Sequence, residues 1–240
     1  MGPKEFRLVT YYLEHLFFPV VFIVFAVMMA DAFIHGLAND GPLDMIRFSQ
    51  QTRYVFLFCF NILIAYFLFM TKRGTTVYPD RYEEVLVPIV ATFWFFSYSL
   101  VEMIPYDSNP VLLAPSFLEF MIPAGIVINL IGHGLSIAGV LSLRQSFGIV
   151  TKVNEIITTG LYGVVRHPIY FGYLVMTIGF ILMTPRLIHV AAYVTAVILQ
   201  VWRAKIEENK LAAASADYRT YMTKVPFLVP DIRKLLGAKQ

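Results

Sequence analysis

Two short polar stretches interrupt a very apolar chain, and their residue types could bind and position charged ligands. The first is RHPIY, in which Arg166, His167 and Tyr170 stand where an apolar segment begins. The second is WRAKIEENKL, in which Arg203 and Glu207 lie four residues apart, on one face of a predicted helix. Taken singly, they suit boundary residues: a cytoplasmic cation, an aromatic belt and an exposed ion pair worth about 0.3–0.5 kcal/mol. Whether the two stretches meet depends on the membrane topology.

The composition indicates a membrane protein with one membrane domain. Hydrophobic residues make up 58% of the chain and charged residues 15%, and the mean hydropathy is +0.67, well above the apolar share of soluble domains. The net charge of +3 is small and no basic stripe is present, so nucleic acid is not an expected partner. Cys59 is the only cysteine, which excludes a disulfide framework and a multi-cysteine metal site.

Six segments are apolar enough to be predicted as spans, since a span needs about 20 apolar residues and shorter ones are tolerated inside a bundle. They cover residues 13–34, 54–71, 85–103, 117–143, 168–184 and 187–202. The last two are joined only by Pro185 and Arg186, which predicts a tight helical hairpin. After Trp202, apolar residues recur at helical spacing among charges and predict an interfacial helix that continues from the sixth span and folds back along the membrane surface. The predicted fold is therefore all-α, a multi-pass transmembrane bundle of about six spans.

The distribution of basic residues predicts the orientation in the membrane. They follow the second and fourth spans and fill the tail, whereas the loop 103–116 has none. The residues concerned are Lys72, Arg73 and Arg81, then Arg144, Lys152 and Arg166. Both termini and the segment 144–167 are therefore predicted to be cytoplasmic, in the plasma membrane of a prokaryote or the endoplasmic reticulum of a eukaryote. The hairpin then returns the chain to its starting side, so that His167 and Glu207 can meet.

The two stretches also carry a family resemblance. The run GLYGVVRHPIYFGY, a hydrophobic hairpin, and then R-x-x-x-E-E-x-x-L, Y-x-x-Y and V-P resemble the isoprenylcysteine carboxyl methyltransferases, which are related to the phospholipid N-methyltransferases. The similarity covers roughly residues 125–230. It implies an integral membrane enzyme that uses S-adenosylmethionine, with a methyltransferase core over 121–240. The helices of residues 1–120 match only in being apolar, and we expect them to shape access for the methyl acceptor.

Carried over by position, the resemblance implies a set of cofactor-binding residues and one acceptor-positioning residue. The cofactor set is Asn154, Glu155, Ile156, Ile157, Tyr162, His167, Pro168, Ile169, Tyr170 and Glu207. Arg203 matches the arginine associated with the acceptor. Eukaryotic members have a histidine where this chain has Asn154, so the match is closer at the two isoleucines.

The chemistry of methyl transfer agrees with these residue types. S-adenosylmethionine needs apolar walls for its adenine, a carboxylate, and electron-rich groups near its sulfonium. Transfer to a carboxylate is an in-line displacement that depends on alignment in a dry pocket, so no metal is expected. We therefore expect transfer to a lipophilic acceptor from the bilayer, a prenylcysteine-like carboxylate that Arg203 holds in place.

Three alternatives remain open on the sequence. Amine phospholipids could be N-methylated at the same cofactor site. A sterol-type reductase using NADPH would need basic residues for a phosphate, for which Lys152 and Arg144 are a thin supply. A non-enzymatic transporter or scaffold would leave the motif residues as boundary charges. Within the fourth predicted span, Asn129 and His133 either hydrogen-bond another helix or line a substrate tunnel.

Overall fold

The computed structural model describes residues 3–38, 45–71, 77–94 and 115–231. In these ranges the chain is almost entirely helical and has no strand, although one isolated bridge pairs Val77 with Val153. The helices are α1 Pro3–Tyr12, α2 Phe18–Leu37, α3 Met45–Met70, α4 Glu83–Phe93, α5 Pro115–Leu143, α6 Pro168–Met183, α7 Leu187–Ala214 and α8 Ala216–Lys224. A π-helical segment, Leu13–Phe17, joins α1 to α2 without a break. The all-α prediction is confirmed for this part of the chain.

Four of the described helices are long and apolar enough to cross a membrane. They cover Glu5–Leu37, Gln51–Met70, Phe120–Ser146 and Leu187–Ala214, and the 16-residue α6 is a shorter apolar helix. The third predicted span, 85–103, coincides with α4 up to Phe93, and residues 95–103 lie outside the described residues, as do Lys72 and Arg73. The six-span count, the hairpin and the cytoplasmic placement therefore stay predictions.

The helix of the sixth predicted span continues beyond that span, as the sequence predicts. The span 187–202 ends where charges begin, and α7 continues as one helix to Ala214. Residues 203–214 are mostly strong helix formers without glycine or proline, so polarity alone does not end the helix. Ser215 ends it, with extended backbone, and its side chain accepts a hydrogen bond from Tyr218 N to begin α8.

Close packing of α5 against α6 forms the centre of the bundle. A Cβ built on Gly132 would lie 2.2 Å from Met176 N, and one on Gly179 would lie 2.4 Å from Asn129 N. Only glycine permits this approach, so Gly132 and Gly179 allow the backbones of α5 and α6 to lie in direct contact. Asn129 Nδ2 donates to the Met176 carbonyl oxygen at 2.7 Å, so the interhelical hydrogen bond considered for Asn129 is also present.

The hydrophobic core joins the N-terminal helices to the segment after α5. Its buried members from α2, α3 and α5 include Phe18, Leu68 and Val140, and they contact Ile149 and Val150 of the connecting segment 144–167. Large apolar side chains are exposed on the outer faces of the same helices, as a lipid-facing surface requires. The packing therefore fixes the connecting segment against three helices.

Candidate active site

A cavity of about 800 Å³ lies inside the bundle, within the size range of small-molecule sites. We call one end the motif end, lined by Tyr162, His167, Tyr170, Arg203 and Glu207. We call the other the distal end, lined by Arg53, Tyr54, His133 and Phe180. On α6 the two ends are separated by the ten residues from Tyr170 to Phe180, which is about 15 Å of helix.

The structure brings the two polar stretches of the sequence together at the motif end. The Tyr170 hydroxyl donates a 2.7 Å hydrogen bond to Glu207 Oε2. His167 Nε2 lies 3.1 Å from Glu208 Oε1 and donates to it. The rings of His167 and Tyr170 are stacked, with centroids 5.2 Å apart and planes only 6° from parallel. One turn of α6 and one turn of α7 thus form a joint wall.

Glu208, which sequence reasoning passed over, holds this wall to the tail. Its carboxylate pairs with Arg166, with Nε and Oε1 2.6 Å apart, and both side chains are buried. The Arg166 guanidinium also donates to the carbonyl oxygens of Met222 and Val225. The sequence did contain a signal, because adjacent residues of a helix point about 100° apart. Of the pair Glu207 and Glu208, only one lines the cavity, and the other needs a partner elsewhere.

Arg203 lies in the cavity wall between α4 and the connecting segment. Its guanidinium donates to Thr92 Oγ1 at 2.8 Å and to the Ile149 carbonyl oxygen at 3.0 Å. The guanidinium carbon lies 4.8 Å from the centroid of the Tyr170 ring. Arg203 is 7% exposed and forms no ion pair with a carboxylate in the described part of the chain. A buried cation without a counter-charge favours an anionic ligand beside it.

A carboxylate of the π-helical segment fixes the backbone that Arg203 contacts. Glu14 Oε1 accepts hydrogen bonds from Ile149 N and Val150 N, both at 3.1 Å. The same buried carboxylate pairs with the Lys152 ammonium. Because its ammonium pairs with Glu14, Lys152 is not available as a phosphate ligand for a dinucleotide. No sequence pattern links residues more than 130 positions apart, so this contact was not foreseen.

Nine of the ten residues proposed to bind the cofactor line the cavity. They are Asn154, Glu155, Ile156, Ile157, Tyr162, His167, Ile169, Tyr170 and Glu207. The tenth, Pro168, is fully buried as the first residue of α6 and does not line the cavity. Its ring suits a helix start and restricts the preceding residue, so Pro168 determines the backbone of His167 rather than the cavity surface.

Two tyrosines of the tail, which form the pattern Y-x-x-Y, complete the motif end. Tyr218 and Tyr221 of α8 line the cavity, and the Tyr221 hydroxyl donates to the Tyr162 carbonyl oxygen. Burial raises the pKa of Tyr162 well above its ordinary value, and the charge of Glu207 adds to this. Burial also raises the pKa of Tyr221 to about 12. These phenols therefore remain neutral hydrogen-bond donors at physiological pH.

Comparison with known proteins supports a membrane methyltransferase. Residues 121–215 match a protein family described as phospholipid methyltransferase, which is less than half of the chain. The matched segment contains most of α5, all of α6 and all of α7. It includes the sequence motifs except the last two, Y-x-x-Y and V-P, which follow residue 215. No curated protein gives a significant match. The apolar helices agree with a membrane location.

Proposed function

We propose that the chain transfers a methyl group from S-adenosylmethionine to the carboxylate of a lipophilic, prenylcysteine-like acceptor that enters from the bilayer. The observation that carries this proposal is the buried guanidinium of Arg203, which has no carboxylate partner among the described residues and lies in the wall that Tyr170 and Glu207 share. An anionic acceptor group supplies the counter-charge that the protein does not provide there. The match to the phospholipid methyltransferase family supports the reaction class.

The residues of the motif end fit S-adenosylmethionine. Ile156, Ile157 and Tyr162 offer flat apolar surface for an adenine. Glu207 offers a carboxylate to the hydroxyl or ammonium groups, and the stacked rings of His167 and Tyr170 offer electron-rich faces to a sulfonium cation. When bound, the cofactor supplies a methyl group activated by positive charge on sulfur.

The chain's own contribution to the reaction is alignment and exclusion of water. Thr92 and the Ile149 carbonyl hold the Arg203 guanidinium, so that it orients an acceptor carboxylate without moving. Methyl transfer to that carboxylate would form a carbon–oxygen bond and break the methyl–sulfur bond, and the electron pair of the broken bond would stay on sulfur. Because the acceptor is already ionised, no residue has to remove a proton. Tyr218 and Leu211 line the cavity and add to the wall that limits water.

A second candidate, N-methylation of an amine phospholipid, is favoured by one further observation. The side-chain oxygen of Gln200 is buried and has no hydrogen-bond partner in the described part of the chain, while its amide nitrogen donates to the Ala91 carbonyl. Gln200 lies one turn before Arg203 and lines the same cavity. A zwitterionic lipid could direct its amine to Gln200 and its phosphate to Arg203.

The nature of the product separates these two candidates. Detergent-purified protein is incubated with methyl-labelled cofactor and either N-acetyl-S-farnesylcysteine or phosphatidylethanolamine. We expect label in the farnesylcysteine as a methyl ester, which alkali releases as methanol. Label that alkali does not release from phosphatidylethanolamine would favour the second candidate instead. Calorimetry with S-adenosylhomocysteine and with NADPH tests the reaction class, and binding of NADPH alone would overturn both.

Variants of Arg203 test its role in positioning the acceptor. Arg203→Ala should lower methyl transfer to farnesylcysteine about ten- to a hundredfold, the effect of one charge-assisted hydrogen bond. Affinity for S-adenosylhomocysteine should stay within about threefold of wild type, since Arg203 faces the acceptor. Arg203→Lys should restore only part of the rate because lysine lacks the planar fork. Undiminished transfer by Arg203→Ala would contradict the assignment.

A further inference from the structure

The distal end of the cavity contains a buried histidine with one ring nitrogen free. His133 is 4% exposed, and its Nδ1 lies 2.9 Å from the carbonyl oxygen of Asn129. A carbonyl can only accept, so Nδ1 carries the proton. His133 lines the cavity, and its Nε2 is buried with no hydrogen-bond partner within the described residues. With no carboxylate beside it in an apolar bundle, the ring is neutral and Nε2 presents a lone pair.

Arg53 lines the distal end of the cavity together with His133. Its guanidinium carbon lies 5.8 Å from the ring centroids of both Tyr54 and Phe180. Arg53 Nε is buried without an acceptor, and no described carboxylate pairs with the guanidinium. Arg53 and His133 line the same cavity, and the charge of Arg53 acts on the His133 ring, so the two polar side chains are neighbours. The distal end therefore offers both an unused acceptor and unused donors.

These two groups together select one chemical class of ligand. An anion would satisfy Arg53 but would be repelled by the lone pair of His133. An ammonium would satisfy His133 but would be repelled by Arg53. A hydroxyl group both donates and accepts, and it satisfies both. Leaving such groups unpaired in an apolar interior costs about 1–3 kcal/mol each, which argues that they serve binding rather than stability.

We propose that the methyl acceptor is a two-ended amphiphile whose far end carries a hydroxyl group, bound by His133 and Arg53. This inference rests on the proposed function and specifies its substrate class. The space between the ends supports it, because about 15 Å of helix separates Tyr170 from Phe180. Apolar side chains along that stretch line the cavity, among them Leu57, Phe60 and Met176. A linear apolar chain of that length joins the reacting carboxylate to the distal hydroxyl.

Two probes that differ in one hydroxyl test the proposal by binding alone. They are the methyl esters of N-acetyl-S-farnesylcysteine and of its counterpart hydroxylated at the last carbon of the farnesyl chain. Neither can be methylated again at the carboxylate. Affinities are measured on detergent-purified protein saturated with S-adenosylhomocysteine. We expect the hydroxylated probe to bind at least about tenfold more tightly.

Variants of α5 show whether His133 causes the preference. His133→Phe keeps a ring of similar size but removes the lone pair, and the preference should fall to about one. His133→Gln keeps an acceptor and should retain part of it. Ile131→Phe is the control for disturbance of α5, because Ile131 is 53% exposed on the outer side of that helix. This variant should keep the full preference for the hydroxylated probe.

Each outcome of these measurements either supports or overturns binding of the hydroxyl group at the distal end. Equal affinity of wild type for both probes would mean that the distal groups bind only water, which overturns the inference and leaves methyl transfer standing. A preference that survives in a folded His133→Phe overturns the role of His133. If His133→Phe does not fold, the wild-type comparison and His133→Gln still decide. The proposed function has its own test, in which N-acetyl-S-farnesylcysteine and its hydroxylated counterpart are offered with a free carboxylate. If neither is methylated and S-adenosylhomocysteine does not bind, the proposed function itself is overturned.

Discussion

The two ends of the cavity differ in whether their polar side chains have partners within the described part of the chain. At the motif end, Arg166 pairs with Glu208 and Lys152 pairs with Glu14. At the distal end, Arg53 and the Nε2 atom of His133 have no polar partner in the described part of the chain. The paired side chains build the cavity, whereas those without a counter-charge among the described residues, including Arg203 at the motif end, are available to a ligand.

The reason for the difference lies in the backbone. The motif end includes the connecting segment 144–167, which is largely non-helical, and its N–H and carbonyl groups need side-chain partners such as Glu14 and Arg203. The distal end is formed by α3, α5 and α6, whose backbone groups are satisfied within each helix. Polar side chains there are not needed for the fold, so their retention points to a ligand.

The largest effect should come from removing a charge at the motif end. Glu208→Gln leaves Arg166 buried without its counter-charge and should destabilise the protein by about 3–5 kcal/mol. The opposite change at the distal end, His133→Phe, removes an unpaired polar atom and should leave stability unchanged or raise it by about 1 kcal/mol. Thermal unfolding in detergent measures both. If the two variants are equally destabilised, the two ends do not differ as described.

A smaller effect is expected on cofactor binding. Glu207→Gln removes charge but little volume, and affinity for S-adenosylhomocysteine should fall about ten- to a hundredfold, as for one charge-assisted hydrogen bond. Glu83→Gln, an exposed change on α4 that loses only the contact with Arg81, is the matched control. Isothermal titration calorimetry makes the measurement, and unchanged affinity would show that Glu207 does not contact the cofactor.

The contact that holds both ends in one cavity gives the next prediction. Gly172→Val would place a Cβ 2.5 Å from Ser136 Oγ and 2.8 Å from the Gly132 carbonyl oxygen, which should destabilise the protein by about 1–3 kcal/mol. Gly134→Val is the control, because nothing lies within 4 Å of its added Cβ. The fraction of protein that elutes folded after heating distinguishes the two. If both variants lose the same fraction of folded protein, close contact between α5 and α6 is not required for stability.

The smallest effect concerns alkaline pH at the motif end. The pKa of Tyr221 is raised by burial to about 12, against about 10 for an unfolded chain. Stability from its neutral form is thus fully present below about pH 10 and is lost as the pH rises through about 12. Tyr221→Phe should weaken this decline in melting temperature between those pH values. A wild-type decline that is unaltered in the variant would assign it to other groups.

The sequence predicted the parts of this structure that depend on local pattern. Apolar runs located the helices from α2 to α7, and the spacing of Arg203 and Glu207 placed both on one face of α7. Helical spacing after Trp202 also predicted that the helix continues beyond the sixth span, and α7 runs on to Ala214. The role of Glu14 could not be predicted, since a contact with Ile149 depends on tertiary packing.

At His133 the sequence left two interpretations, and the structure shows why neither alone was sufficient. Asn129, one turn earlier, makes the interhelical hydrogen bond with α6. Among the described residues, His133 bonds to a carbonyl of its own helix and leaves its buried Nε2 without a partner, and the residue lines the cavity. Four-residue spacing gave both residues the same face, but only packing could assign them different tasks.

The π-helical segment Leu13–Phe17 sets the rotational phase of the N-terminal helix. A π-helical turn holds about one residue more than an α-helical turn, and each residue advances the helix by about 100°. Deleting Leu16, whose side chain is 62% exposed, would restore a regular helix and rotate Glu14 away from Ile149 and Val150. Replacing Leu16 with another residue would not. The length of this turn, rather than the identity of its outward residues, is therefore what ties the N-terminal helix to the segment that holds Arg203.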